Sequence, residues 1–254
     1  MKKIAVCVSG LCTSIRGDIG IQENNAILKN KFKNADFFYA TYSHMKEKFF
    51  NNFSVNSNVF FFEEPNPHYH PYLDIEEKNH ISSKYAEIIS FMKNDKSGQR
   101  LLWSKHHVKQ ILIHSWLLKE INAKNNYDLI IRTRFDGFIS KNAQFEEYLI
   151  DSHENLRCNS FAATKQNKFN ELNEFPTGIG SPHEHWMLDQ LIIHPSSFLD
   201  PNLVNQLYKN KLLHAAESGW YQVLSKPNGI GKHRNHDGWV NHDKKILSEF
   251  FYKL

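Results

Sequence analysis

Residues Tyr127 to Asp136 read YDLIIRTRFD, an apolar run at Leu129-Ile130-Ile131 that leads without a break into Arg132, Arg134 and Asp136. Side chains alternate along a strand, so Arg132, Arg134 and Asp136 are predicted on one side and Ile131, Thr133 and Phe135 on the other. A strand with a continuous apolar run is normally covered on both faces. Two guanidinium groups and a carboxylate are costly in that setting unless they face a pocket or one another. The carboxyl end of a parallel strand satisfies this condition, and open α/β sheets bind their ligands at that edge. The segment therefore constrains the chain to a layered α/β fold with a candidate site near Asp136. Arginine forks match the oxygens of a diphosphate and stay ionised. A purely structural Arg-Asp network at the strand end is the alternative for the same residues.

Short apolar segments alternate with helical patterns through the rest of the chain. Lys3 to Val8 predicts a first strand, Ile21 to Phe32 a helix, Asp36 to Thr41 a second strand and Asn58 to Phe62 a third. Glu64 to His80 carries Pro65, Pro67 and Pro71 without helical period and is predicted as a long loop, of the kind often used as a lid. Helical character resumes at Ser82 to Met92. From Leu101 to Ile121, Val108, Ile111, Leu112, Ser115 and Trp116 recur at helical spacing, which lays one helix face on the sheet just ahead of YDLIIRTRFD. Lys165 to His185 is irregular around TGIGSP. Trp186 to His194 reads as a helical turn and a strand, with helices near Pro195 to Lys209 and His214 to Ser225. The expectation is an α/β fold, a Rossmann-type, mostly parallel sheet flanked by helices in a single domain.

Composition narrows the function. The chain has 254 residues, 41% hydrophobic and 23% charged, which suits a folded domain with a substantial core. A formal charge of +4 and a pI near 8.8 are too mild for a dedicated nucleic-acid binder but suit an enzyme of anionic substrates or contact with an anionic membrane. Cys7, Cys12 and Cys158 are odd in number and lack metal-type spacing, so a reducing cytoplasm is expected. The start, MKKIAVCVSG, has an apolar run of about six residues, short of a signal-peptide core, and reads as a strand. No apolar run approaches the ~18 residues of a membrane span, so any membrane contact is expected to be peripheral.

Four other places carry candidate chemistry. Ser9-Gly10-Leu11-Cys12-Thr13-Ser14-Ile15-Arg16 follows the first strand and offers backbone amides, hydroxyls and an arginine to a nucleotide or phosphate, though an ordinary turn has the same composition. It matches neither the P-loop nor the G-x-G-x-x-G fingerprint. Asp189 stands among apolar residues in HWMLDQLIIHP, a setting for a general base or for a structural hydrogen bond. Glu217 has a similar small-residue setting. Gly231 to Asp243 reads GKHRNHDGWVNHD, where His233 and His236 are candidate metal donors, although 15 histidines in the chain make local crowding unremarkable.

Four segments in this order carry a family likeness: the Ser9-Gly10 loop with Arg16, NADFFYATYS from Asn34 to Ser43, YDLIIRTRFD, and MLDQLIIHPSSF. Together they resemble the bacterial capsule and lipopolysaccharide glycosyltransferase-like proteins, from Lys3 to about Leu199. Members of that group begin with an SGQxR-like loop and carry an RTRFD or RSRPD strand. The resemblance implies a GT-A-type fold, with a nucleotide-binding half over about residues 1–140 and an acceptor half over about 141–254. It implies sugar transfer from a nucleotide-sugar donor to a glycan or glycolipid acceptor. Ser9, Gly10, Arg16, Arg132, Arg134 and Asp136 would then line the donor site, with Asp136 in the place of the metal-binding carboxylate. Two departures stand out: Leu11 to Ser14 lengthens the first loop, and no D-x-D occurs, which leaves dependence on manganese or magnesium open.

On this reading the strand arginines, and a divalent cation if present, neutralise the leaving diphosphate, and Asp189 deprotonates an acceptor hydroxyl, with Glu217 as the second candidate. His233 and His236, flanking Arg234, are expected to fold over the sheet's carboxyl end and complete the shell around Asp136. A metal-dependent hydrolase or phosphotransferase, and a non-catalytic sugar-binding subunit, are the alternatives. Ile246, Leu247, Phe250, Phe251 and Leu254 predict an amphipathic tail docked on the core.

Overall fold

The computed structural model describes residues 3–14, 16–55, 57–66, 99–122, 126–137, 139, 157–159, 191–210, 212–213, 219–228 and 234–235. One seven-stranded sheet takes β1 (Ile4–Ser9), β2 (Asp36–Tyr42), β3 (Val59–Phe62), β4 (Leu129–Thr133), β5 (Arg157–Asn159), β6 (Leu191–Pro195) and β7 (Arg234–Asn235), in the order β3-β2-β1-β4-β6-β5-β7. β3, β2, β1 and β4 run parallel. β6 runs against β4 and β5, and β7 is parallel to β5. The helices are α1 (Gly17–Lys31), α2 (Lys46–Asn52), α3 (Gln99–Asn122) and α4 (Pro201–Lys209). This is the expected α/β architecture, a mostly parallel sheet flanked by helices, and the sheet draws strands from both halves of the sequence. Among the described residues no helix is long and apolar enough to cross a membrane.

Strand alternation builds two cores. Ala5, Cys7, Phe38, Ala40, Ile130 and Ile192 face the layer of α3, against Ile111, Leu112 and Trp220. Val6, Val8, Tyr39, Leu129, Ile131, Leu191 and Ile193 face the layer of α1 and α2, against Ile21, Leu28 and Phe49. Both faces of β1 and β4 are thus sealed, as their unbroken apolar runs require. α1 has Asp18 in its first turn and Lys29 and Lys31 in its last, each of the sign that the helix dipole favours. α4 begins with Asp200, whose carboxylate accepts from the Asn202 amide at 2.8 Å, and with Pro201.

Several boundaries differ from the sequence expectation. The strand before Asp136 stops at Thr133, so Arg134 and Asp136 lie in a turn beyond it. The helix expected from Pro195 starts at Pro201, after a 3-10 turn at Ser196–Phe198. α2 was not foreseen; its seven residues are too few for a periodic signal, and it is held by Phe49, fully buried, whose ring stacks on Phe53 at 4.7 Å. Strands β5 and β7 have no apolar run to mark them. The expected loop after Glu64 is described only to residue 66, and the stretches Ser82 to Met92 and Lys165 to His185 and the amphipathic tail lie outside the described residues.

The α3 layer also encloses two imidazoles. His114 and His194 are fully buried with ring centres 5.9 Å apart, and Trp220 lies edge-on to His114 at 5.7 Å. His194 Nδ1 donates to the Pro195 carbonyl at 2.7 Å, a bond that by itself favours the protonated ring and is outweighed by burial. Burial holds His194 down at about 4, below its usual 6.5, and pushes His114 well below its ordinary value, helped by His194 and Arg132. The folded state therefore refuses protons that the unfolded chain accepts. This stability is complete above pH 6.5 and is lost as the pH falls through 6.5 toward 4. At pH 5 His194 alone should cost on the order of 2 kcal/mol relative to neutral pH, or several degrees of melting temperature. Melting curves across this range should fall more steeply for the wild type than for His194→Phe; equal slopes would remove the buried imidazole as the cause.

Candidate functional site

β1 and β4 are neighbours, but the chain leaves β1 toward β2 and reaches β4 on the other side, so the strand order reverses between them. Crevices form at the carboxyl ends of the strands at such a point. A small cavity of ≈ 70 Å³ opens there. Its walls are Ser9, Gly10, Leu11 and Thr13 after β1, Tyr42 at the end of β2, Lys109 and Gln110 from α3, and Arg134 and Asp136 after β4.

The loop after β1 turns at Gly10, whose φ of +130° lies in the region that favours glycine. Its amide donates to the Ala40 carbonyl at 3.1 Å, which ties the turn to β2. The loop then passes close over α1: a Cβ on Gly20 would meet Arg16 Cβ at 2.6 Å and Ser14 Oγ at 2.8 Å. Arg16 sits at the start of α1 and is ion-paired with Glu23 along the same helix. Of the residues proposed in this loop, Ser9 and Gly10 line the cavity, and Arg16 is not on its described wall.

Beyond β4 the alternation of the strand persists for three residues. Phe135 is 1% exposed and turns into the aromatic core, edge-on to Phe49 at 6.1 Å and to Phe53 at 5.8 Å. Arg134 and Asp136 turn the other way, into the cavity, and pair as a fork: Nε to Oδ1 at 2.7 Å and Nη2 to Oδ2 at 2.5 Å. Asn24 of α1 fastens this turn from behind, donating to the Arg134 carbonyl and accepting from the Ile139 amide, both at 3.3 Å. Gly137 leaves the necessary room, since a Cβ there would lie 3.0 Å from Thr133 Oγ1 and 3.1 Å from the Arg134 carbonyl.

α3 forms the opposite wall. Lys109 Nζ donates to Glu64 Oε1 at 2.8 Å, and the Tyr42 hydroxyl donates to the Lys109 carbonyl at 3.3 Å. Burial, and then the Glu64 charge, raise the Tyr42 phenol, so it stays protonated. Arg132 has the side predicted for it but not the place. It is fully buried beneath α3, with Nη2 donating to Gln110 Oε1 at 3.1 Å and Cζ 4.7 Å from the centre of the Trp220 ring. It stands behind the cavity wall rather than on it, because β4 runs one further residue, Thr133, before the chain leaves the cover of the helix.

Among the described residues the walls offer two cations, one carboxylate, three hydroxyls and an amide, a set suited to an anionic ligand with polar groups. They do not form a metal site: Asp136 is the carboxylate on the wall and both its oxygens accept from Arg134. Among the described residues no group of three or more His, Cys, Asp or Glu side chains is placed to hold a metal ion. Asp189, Glu217, His233 and His236 lie outside the described residues. Arg234 and Asn235 form the edge strand β7, separated from β4 by β6 and β5. Lys109, Gln110, Tyr42 and Asn24 were not singled out in the sequence. Only Asn24 carried a signal, as a polar residue between Ile21 and Leu28 on the inward face of α1.

No protein-family model and no curated protein matches the sequence. Solved structures match at low identity. The galactosyltransferase LgtC in complex with donor and acceptor sugar analogues is 10% identical with a TM-score of 0.38, over 91% of this chain and 70% of that one. The 4-diphosphocytidyl-2C-methyl-D-erythritol synthase of Anaerococcus prevotii is 7% identical with a TM-score of 0.40, over 99% and 96% of the two chains. Mouse xyloside xylosyltransferase 1 is 11% identical with a TM-score of 0.33, over 92% and 84%. Likenesses this distant say nothing of substrate or reaction.

Replacing Asn24 by leucine removes both bonds from α1 to the turn and takes its acceptor from the Ile139 amide, while the Arg134 carbonyl keeps its bond from the Gly137 amide at 3.2 Å. Chemical denaturation of Asn24→Leu should show a loss of about 1–3 kcal/mol. A change below about 0.5 kcal/mol would mean that Phe135 alone anchors the turn.

Proposed function

We propose that the chain is a glycosyltransferase on a GT-A-type fold, moving a sugar from a nucleotide-sugar donor to a bacterial surface-glycan acceptor of the capsule or lipopolysaccharide/lipooligosaccharide kind. The observation that supports this most is the position of the cavity: it lies at the switch point between β1 and β4, where α/β sheets bind nucleotides, and Arg134 of the RTRFD segment forms its wall. The nucleotide-binding half is read as about residues 1–140 and the acceptor half as about 141–254. Ser9 and Gly10 line the nucleotide side, and Arg134 with Lys109 faces the diphosphate. Charge grows on that leaving group as the bond from the anomeric carbon to the phosphate oxygen breaks, and fixed cations stabilise it there. The acceptor oxygen forms the new bond, and its proton passes to a carboxylate, Asp189 in this reading, with Glu217 as the second candidate. Arg132 acts from behind the wall. Work in the cytoplasm, with peripheral contact at the inner membrane for a glycolipid acceptor, goes with this assignment.

No step is assigned to manganese or magnesium, because the described donors do not make a resident site. His233, His236 and Asp136 remain the proposed donors should a cation prove necessary. Activity after exhaustive chelation, followed by add-back of either metal, decides this: full activity in chelator would remove the cation.

Incubation with nucleotide sugars and glycan acceptors should release a nucleoside diphosphate only when donor and acceptor are both present. Arg134→Ala and Asp136→Ala should lower kcat/KM by about 100-fold or more while the variants remain folded. A fully active Asp136→Ala enzyme would sink the donor-site assignment. Phosphoester hydrolysis without acceptor would favour a metal-dependent hydrolase or phosphotransferase, and sugar binding without turnover a non-catalytic subunit.

A further inference from the structure

Arg132 ends one side chain short of the cavity, and that side chain is Gln110. A guanidinium carries donors and no acceptor, so the Gln110 atom that faces it has to be the oxygen, whichever way the amide is drawn. The 3.1 Å bond from Arg132 Nη2 to Gln110 Oε1 therefore fixes the polarity of the amide. Arg132 is itself held, 0% exposed and against the face of Trp220, which is 1% exposed. Gln110 lines the cavity, and its amide nitrogen, turned from Arg132, makes no hydrogen bond among the described residues. Ser9 adds a second group to the same space: its hydroxyl is fully buried, and Oγ has no hydrogen-bond partner among the described residues.

We infer that Gln110 is a ligand-binding residue whose amide donates to an oxygen acceptor of the ligand, a carbonyl or phosphoryl oxygen, and that Arg132 is the positioning residue that sets this polarity. The oxygen would belong to the nucleotide of the preceding proposal, on which this assignment rests. Discrimination follows from the locked orientation. A ligand presenting an N–H at that point would leave two donors face to face, and the amide has no alternative pose with which to accept. A glutamine free to rotate would tolerate either partner.

Gln110→Glu separates this role from a structural one. It keeps an oxygen toward Arg132, adds charge to that bond, and removes the N–H on the cavity side. Gln110→Met removes both polar ends without adding charge. Arg132→Met takes away the orienting donor in a form that buried sites often tolerate, and Arg132→Lys restores a donor. Melting temperature without ligand, and Kd by calorimetry for uridine, guanosine, cytidine and adenosine diphosphates and for inorganic pyrophosphate, are measured for each. Gln110→Glu should melt at or above the wild-type temperature and yet bind about tenfold more weakly or worse, with a comparable loss in Gln110→Met. Arg132→Met should lose less, and Arg132→Lys should recover part of it. Weakened pyrophosphate binding puts the acceptor on a phosphoryl oxygen; weakening confined to a nucleotide puts it on a carbonyl of the base. A nucleotide that binds wild type and Gln110→Met equally overturns the donor role and leaves the nucleotide reading standing. Pyrophosphate binding that depends on Gln110, with no nucleotide bound, supports the donor and overturns the nucleotide. Failure of every probe overturns both.

Discussion

The pairing of β1 with β4 sets what stands above the sheet. Its register places Val8 opposite Thr133, so Ser9 and Arg134 leave the sheet side by side and become facing walls of one cavity. The same register stacks Ile130 in the α3 layer and Leu129 and Ile131 in the layer of α1 and α2. A slip of one residue would exchange these faces, drive Arg132 into the aromatic layer and turn Phe135 out to solvent. Apolar burial on both sides thus fixes the register, and the register fixes the site.

The chemistry of the cavity is carried by residues that the core immobilises from behind. Phe135 anchors the turn between Arg134 and Asp136. Asn24 bonds the same turn to α1, and Arg132 holds Gln110. A loop of three or four exposed residues would pay a large ordering entropy to bind a ligand. Here much of that ordering is done by folding.

The layered architecture was legible because β1, β2 and β4 are continuous apolar runs and α3 repeats at helical spacing. The side on which Arg132, Arg134 and Asp136 lie was legible from alternation. Depth was not. Period-two patterning says which face a residue takes, while the length of chain covered by α3 decides whether it meets core or solvent, and that depends on a helix remote in sequence. Lys109 and Gln110 were unreadable for a related reason: a polar pair on an amphipathic helix looks the same at a cavity rim as on a solvated edge. The direction of β6 was equally hidden, since LIIHP has the same alternation in either sense. Arg16 was assigned from its place after a strand, but Glu23 lies within reach along α1 and takes its charge.

Each cation on the cavity wall already has a carboxylate of its own, Asp136 for Arg134 and Glu64 for Lys109. Among the described residues the cavity is therefore near electroneutrality although its wall carries two positive groups. An anion entering it would meet little standing field and would compete with these two carboxylates for the two cations. Such a site forgoes part of the long-range attraction that speeds encounter. In return it sets a threshold: a monoanion offers Arg134 no more than Asp136 already does, whereas a group with several charged oxygens can replace both carboxylates at once.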